Sequence, residues 1–392
     1  MTAPGAHGTR TPAILLWLAG NGLRLTILAV PPVLAMIRDD LALSATQVGL
    51  LSSIPSAMFA IAALGGSLLV AHLGVKTALV GGLVIVASGS ALRGASSSFA
   101  ILLTTTIVMS AGVAIMQPIM PTAVRQWVPQ RIALGTALYT NGLLVGEILA
   151  VLLTTPLVLP LVAGSWRASL VAWSVPIAVI AAAVYAFAPK SPPPSHTTAA
   201  PRKWLPDWHI GLVWRLGALF GCINGIYFSS NAFLPIFLAS QGHSDLISGA
   251  LLALNLGQLP ASLLLLVVAG RLERRAWPYL AAGAVALACI AGIALMPGPA
   301  TIAWAALLGF AIAAGLILAL TLPPLLCRSE DVARTSAGTF TLSYGGAVVM
   351  ALASGAVWDM TGVPALAFVP LAIGAMALAI VAATMLRIGE LR

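Results

Sequence analysis

Twelve apolar runs of 19 to 30 residues follow one another along the chain with only short breaks between them. A helix climbs about 1.5 Å per residue, so each run is long enough to cross a hydrocarbon layer roughly 30 Å thick. The runs cover 12 to 37, 45 to 71, 76 to 94, 99 to 124, 132 to 159, 167 to 188, 210 to 239, 245 to 270, 277 to 296, 299 to 326, 335 to 358 and 363 to 386. Gly, Pro and charged clusters mark the turns between them. Only 7% of the 392 residues are charged and 60% are hydrophobic, whereas a soluble domain carries about 25% charged residues. The expected fold is all-α and integral to a membrane, with twelve transmembrane helices.

The net charge of +9 does not point to nucleic acid, because the basic residues are scattered singly through short loops. Such scatter fits the preference of Lys and Arg for cytoplasmic loops. One set of connections and tails holds Arg10, Lys76, Arg125, Arg131, Lys190, Arg202, Lys203, Arg271, Arg274, Arg275, Arg328, Arg334, Arg387 and Arg392. The other holds Arg38, Arg93 and Arg167. Both termini are therefore expected inside. The first run lacks an early small-residue cleavage site and is expected to stay as a helix rather than leave as a signal peptide. Cys222, Cys289 and Cys327 each fall in an apolar run without a CxxC partner, so neither a disulfide framework nor a metal or redox site is expected.

The longest break, PKSPPPSHTTAAPRKWLPDWH at 189–209, is rich in Pro, Ser and Thr and is expected to be a cytoplasmic linker. It divides the chain into two six-helix halves, 1–188 and 210–392. The halves repeat one another. PTAVRQWVPQRIALGTALYTNG at 121–142 and PLLCRSEDVARTSAGTFTLSYG at 324–345 share the pattern P-x3-R-x5-R-x3-G-T-x4-(N/Y)-G. The pattern runs from the fourth run into the fifth, and again from the tenth into the eleventh, so the repeat is parallel.

Twelve helices, a parallel repeat and a central linker resemble the major facilitator superfamily. More narrowly, NGLRLTILAVPPVLAMIRDDLALSATQVGLLSSIP, GSWRASLVAWSVP, NAFLPIFLASQGHSDLISGALLALNLGQLPAS and SAGTFTLSYGGAVVMALASGAVWDMTG are similar to stretches of the cyanate and 2-nitroimidazole transporter family. The Asn-x-x-Arg core of that family's first helix is carried here by Asn21 and Arg24. The resemblance implies a monomeric transporter of the bacterial inner membrane, with its substrate site near the bilayer midplane between the halves.

Arg24 is the residue in this chain that most needs a purpose. It lies about twelve residues from either end of the first run, hence near the midplane, where a central Arg opposes insertion by roughly 2.5 to 3.5 kcal/mol. Its guanidinium is permanently charged and can hold an oxyanion or other small anion in bidentate fashion. Arg24 either draws such a substrate into a cavity or forms an internal ion pair that locks helices. Glu147 is the one acidic residue expected deep in the bilayer, at a depth like that of Arg24. It either takes up a proton when substrate occupies Arg24 and offsets the positive charge that opposes protonation, or simply neutralises the arginine.

Matching Gly49 with Gly249 sets Asn224 opposite Arg24 in the repeat, and the longer motif pairs Asn141 with Tyr344. With Gln117, Tyr227 and Gln258 these are substrate-contact candidates, and Asn231 and Asn255 are further mid-helix polar groups. Each can equally be an interhelical hydrogen bond that glues the bundle. Gly217, Gly221 and Gly225, and Gly142 and Gly146, form small-residue rows expected to let helices approach. Arg125, Arg131, Arg328 and Arg334 are candidate gates at the inner mouth or else topology signals. Arg215 and Arg93 are expected to snorkel to headgroups from opposite sides.

No nucleotide-binding G-x4-G-K-(S/T), no H-E-x-x-H and no G-x-S-x-G is present, so an enzyme with a visible catalytic apparatus is not expected, nor a cofactor. The expected function is secondary active transport of a small anion or small polar organic solute, cyanate-like or nitroimidazole-like, by alternating access with proton coupling. Proton-driven multidrug efflux and an uncoupled channel or facilitator are the alternatives. Substrate, direction and coupling ion are not written in the chain.

Overall fold

The structure is a computed structural model that describes residues 10–43, 45–189, 204–272, 274–296 and 298–388. The central part of the expected linker, including Lys190, Arg202 and Lys203, lies outside the described residues, as does Arg392. Eleven helices among the described residues are long and apolar enough to cross a membrane. One of them, Ala45–Arg93, contains Gly74 at φ 76° and ψ 167°, outside the helical region. Side chains disfavour that conformation and glycine tolerates it, so 45–73 and 75–93 are two crossing segments. All twelve apolar runs thus have a helical counterpart.

The helices gather into two compact units, Met1–Pro206 with Cys327–Gly338, and Asp207–Leu326 with Thr339–Arg392. The start of the eleventh span, Val332–Thr361, belongs to the first unit and the remainder to the second. The large apolar residues that remain exposed, such as Ile61, Val179, Val267 and Leu352, stand on the outer faces of spans, as a lipid-facing surface requires.

In the first unit the fourth span, Phe99–Trp127, and the sixth, Trp166–Phe187, each begin with a serine cap. Ser98 and Ser165 accept hydrogen bonds from the backbone N–H groups of Ile101 and Ala168, satisfying donors that a helix start leaves open. Where the sixth span begins, Arg167 makes a 2.7 Å ion pair with Asp40. Trp166 adds an Nε1 hydrogen bond of 3.3 Å to the same carboxylate. The short helix Leu34–Asp40 that follows the first span is thereby tied to the sixth.

Three spans are not the plain helices that an apolar run suggests. The first is interrupted at Leu23 and Arg24, between helices Arg10–Gly22 and Leu25–Leu28, and then turns through a 3-10 segment, Pro31–Val33. Pro31 and Pro32 have no N–H, so the carbonyls of Ile27 and Leu28 lose their helical donors. The fifth passes through a π-helical turn at Thr154–Val158. The eighth pauses at Gly257 between Ile247–Leu256 and Gln258–Leu272, three residues before Pro260. Arg93 departs from expectation more sharply: it does not snorkel but is fully buried. Arg215 is half-buried, with its guanidinium folded back toward Gly211 at the start of its helix. The three cysteines are free thiols.

Candidate functional site

The interruption of the first span sets up the candidate site of the first unit. Arg24 has φ −129° and ψ −28°, off the helical values, and the chain closes around it with short-range bonds, Leu23 N to Gly20 O at 3.0 Å and Arg24 N to Asn21 O at 3.2 Å. Irregular backbone at membrane depth survives where protein or a polar cavity satisfies it. The Arg24 guanidinium lies over the Phe59 ring, 5.7 Å from its centroid. Phe59 itself is 1% exposed, so the ring is a fixed platform, and a cation on an aromatic face gains about 0.5 to 2 kcal/mol.

The fifth span, which contains helix Ile132–Leu153, supplies the other wall. Two of its glycines set the distance. A Cβ on Gly142 would run into the Trp17 carbonyl, and one on Gly146 would lie 2.7 Å from the Asn21 carbonyl. With hydrogen in those places the two backbones touch, as the small-residue row suggests. Along this seam Trp17 Nε1 donates to Asn141 Oδ1 at 3.0 Å. Asn21 Nδ2 donates to the Trp17 carbonyl at 2.9 Å. Glu147, next to Gly146, is half-buried, and Arg24 is the charge that acts on it. Gln117 is buried on the fourth span.

The second unit carries a polar set with no charge in it. Asn224 is buried and donates to Ser343 Oγ at 2.8 Å. Tyr227 donates its hydroxyl to Asn255 Oδ1 at 2.7 Å, Asn255 Nδ2 reaches Asn231 Oδ1 at 3.0 Å, and Asn231 Nδ2 returns to the Tyr227 carbonyl at 2.9 Å. This loop of hydrogen bonds joins the seventh span to the eighth. Gln258, three residues beyond Asn255, opens the second helix of the eighth span. It is 7% exposed, and among the described residues its Nε2 has no hydrogen-bond partner. Tyr344 is buried between Phe340, in a stacked pair at 6.3 Å, and Phe228 at 6.1 Å.

Of the four candidate gate arginines, Arg125 donates through Nε to Ser329 Oγ at 3.4 Å, and Arg334 pairs with Asp331 at 2.7 Å. Arg131 and Arg328 are exposed. Among the described residues no cluster of His, Cys, Asp or Glu could hold a metal ion.

Comparison with known proteins places this geometry. The family model of the Major Facilitator Superfamily matches residues 14–348. The chain belongs to the Major Facilitator Superfamily. Within it, the chain is 30% identical over 311 residues to the cyanate transport protein CynX of Escherichia coli, covering 79% of each protein. It is 26% identical to the 2-nitroimidazole transporter of the same organism, covering 81% of this chain and 80% of that one. Among solved structures, the human organic anion transporter MFSD10 matches with a TM-score of 0.76 at 15% identity, over 97% of this chain and all of that one. The fucose:proton symporter FucP of E. coli matches with a TM-score of 0.73 at 17% identity, over 95% and 97%. The superfamily fold is thus established, and the protein is a multi-pass membrane transporter, not an enzyme.

Several residues of this transporter's interior carry no mark in the sequence. Trp17, Phe59 and Ser343 are ordinary in apolar helices, and their roles arise only from which helix face meets which. The spacing of Asn21 and Arg24 against Gly142 and Gly146 contained the signal for the first seam. Nothing in the spacing marked Phe59.

Proposed function

We propose that this superfamily member moves a small anion or a small, electron-rich polar solute, cyanate-like or nitroimidazole-like, by alternating access, with Arg24 as its anchor. The observation that carries this is the position of Arg24: a guanidinium held on an aromatic platform where the first span breaks between its two α-helical pieces. A permanent planar cation with a fork of donors suits cyanate, nitrate or a nitro group, and relatives at 26 to 30% identity include a cyanate and a 2-nitroimidazole transporter. Asn21, Asn141 and Gln117 in the first unit, and Asn224, Tyr227, Tyr344 and Gln258 in the second, supply neutral hydrogen-bonding groups for the rest of the solute. The uncharged character of the second set suits a substrate whose charge is met once, at Arg24.

Glu147 is the coupling residue in this proposal. An anion on Arg24 offsets the positive charge that opposes protonation of the Glu147 carboxylate, so substrate and proton load together. That linkage makes the protein a proton symporter, against efflux by antiport or passage through a channel. Arg125 and Arg334, with Ser329 and Asp331, are proposed to close the cytoplasmic mouth together with Arg131 and Arg328. The bias of Lys and Arg across the loops supports cytoplasmic termini, and the bacterial relatives support a bacterial plasma membrane. The transporter is proposed to work as a monomer.

A thermal-shift screen of the purified protein against cyanate, nitrate and 2-nitroimidazole tests the substrate class. A ligand at a hundred times its Kd stabilises the folded state by about 2.7 kcal/mol, so one of these three should raise the melting temperature. Stabilisation by organic cations and by none of the three would overturn the proposal in favour of multidrug efflux.

A further inference from the structure

Arg93 ends the third span and has no exposed surface. Among the described residues it has no acidic partner, and its Nε and Nη1 make no hydrogen bond. What it does make is a 2.8 Å hydrogen bond from Nη2 to the backbone carbonyl of Thr26, and a second of 2.9 Å to Ser90 Oγ. Ser90 in turn donates to the Leu170 carbonyl of the sixth span at 3.2 Å.

Thr26 lies two residues beyond Arg24, and its carbonyl needs an outside donor for a local reason. In an unbroken helix it would accept from the N–H of Val30. Here the Val30 N–H turns to the Ile27 carbonyl at 3.4 Å as the chain approaches Pro31 and Pro32. The Thr26 carbonyl is left without its helical donor in an apolar interior, where an unmet carbonyl is strongly unfavourable. A cationic donor is stronger than a neutral one. Arg93 therefore pins the short helix Leu25–Leu28 from one side, while Thr26 Oγ1 leans on Met109 Sδ at 3.4 Å. On the other side of the interruption, Gly142 and Gly146 fix the helix Arg10–Gly22 against the fifth span. Arg24 is the joint between two arms, each held from outside.

We propose that Arg93 is a positioning residue for Arg24. By capping the Thr26 carbonyl it fixes the outer arm of the broken first span and with it the aim of the Arg24 guanidinium. A buried arginine with two unmet donors is unfavourable as a packing element alone, since an apolar side chain would fill the same space without that penalty. Its charge is explained by the carbonyl it meets. The role rests on Arg24 being the anion anchor, and two separate readouts keep the two ideas apart.

The first readout needs no substrate. Hydrogen–deuterium exchange of the full-length protein in detergent is compared for wild type, Arg93→Met and Arg93→Lys. Arg93→Met is expected to speed exchange in the peptide covering Leu23 to Val30 by at least about tenfold, the ratio that 1.4 kcal/mol of local opening gives, with no change in the second unit. Arg93→Lys, which keeps a cationic donor, should restore most of the protection. Unchanged exchange in Arg93→Met would overturn the positioning role whatever the substrate proves to be.

The second readout is cyanate counterflow in proteoliposomes. Misaiming a binding group by a fraction of an ångström is expected to raise KM by about tenfold in Arg93→Met, with the maximal rate within about a factor of two. Arg93→Lys should recover most of that loss. Faster exchange in Arg93→Met with an unaltered KM would show that Arg93 holds the backbone without aiming Arg24, and would also overturn the proposal. Absence of cyanate counterflow in wild type would count against the substrate class and leave the exchange result to decide the role of Arg93.

Discussion

Arg24 stands over Phe59 at 5.7 Å, a long cationic side chain held against a buried ring where the first span stops being a helix. The pair joins a charge that membranes disfavour to a surface that cannot move away from it. It also explains how a flexible side chain can present a fork of donors in one direction.

Replacing the ring tests that support. Phe59→Met keeps an apolar side chain of comparable reach and removes the quadrupole that the guanidinium faces. A loss of about 0.5 to 1.5 kcal/mol in anchoring is expected, seen as a several-fold rise in KM for counterflow, whereas Phe59→Tyr should stay near wild type. Equal KM values in the two variants would remove Phe59 from the site.

Glu147 has a sharper test because it separates binding from coupling. Glu147→Gln keeps the shape and loses the titratable group. Uptake driven by an imposed proton gradient is expected to fall by roughly 5- to 150-fold, the range spanned by a coupling free energy of about 1 to 3 kcal/mol. Counterflow, which needs no net proton movement, should persist. Proton-driven uptake at the wild-type rate would make Glu147 a neutralising partner of Arg24 and nothing more.

The seam between the first and fifth spans makes a prediction about stability. Gly142→Ala would press a methyl group into the Trp17 carbonyl, and overpacking of this kind is unfavourable by about 1 to 3 kcal/mol. Gly81→Ala on the third span meets nothing within 4 Å. It should be neutral or stabilise by up to about 1 kcal/mol through helix propensity. Melting temperatures in detergent compare the two directly, and a similar shift in both would mean that the close approach is not what holds the seam.

Much of this architecture is legible in the sequence, because bilayer thickness turns hydropathy into helices with little ambiguity. The twelve runs and the small-residue row at Gly142 and Gly146 come from local pattern. The interruption at Leu23 and Arg24 does not, since an apolar run with glycines and a proline pair is compatible with a continuous helix or a broken one. The burial of Arg93 is not legible either, for a related reason. An arginine at a span end normally reaches water, and only the fold reveals that Thr26 offers it a freed carbonyl inside. The partnership of Tyr227, Asn231 and Asn255 depends on how two helices are rotated about their axes, which spacing alone leaves open.

That hydrogen-bonded loop is itself testable. Asn255→Leu removes the link between the seventh and eighth spans at Tyr227 and Asn231. Interhelical hydrogen bonds in membranes average about 0.6 kcal/mol and reach about 1.7, so a modest drop in melting temperature is expected. If the loop also contacts solute, KM rises while the maximal rate holds. A drop in stability with an unaltered KM would assign the loop to packing.

The most direct measurement is saturable counterflow of cyanate, nitrate and 2-nitroimidazole in proteoliposomes bearing wild type, Arg24→Gln or Arg24→Lys. Anchoring at Arg24 requires that at least one of the three solutes exchanges saturably through wild type. It also requires that Arg24→Gln raises KM by about a hundredfold or more, as loss of a charged hydrogen-bonding partner worth about 3 kcal/mol implies. Arg24→Lys should fall between the two, keeping the charge without the planar fork. Counterflow in Arg24→Gln with a wild-type KM would contradict the anchor and leave Arg24 as a structural ion.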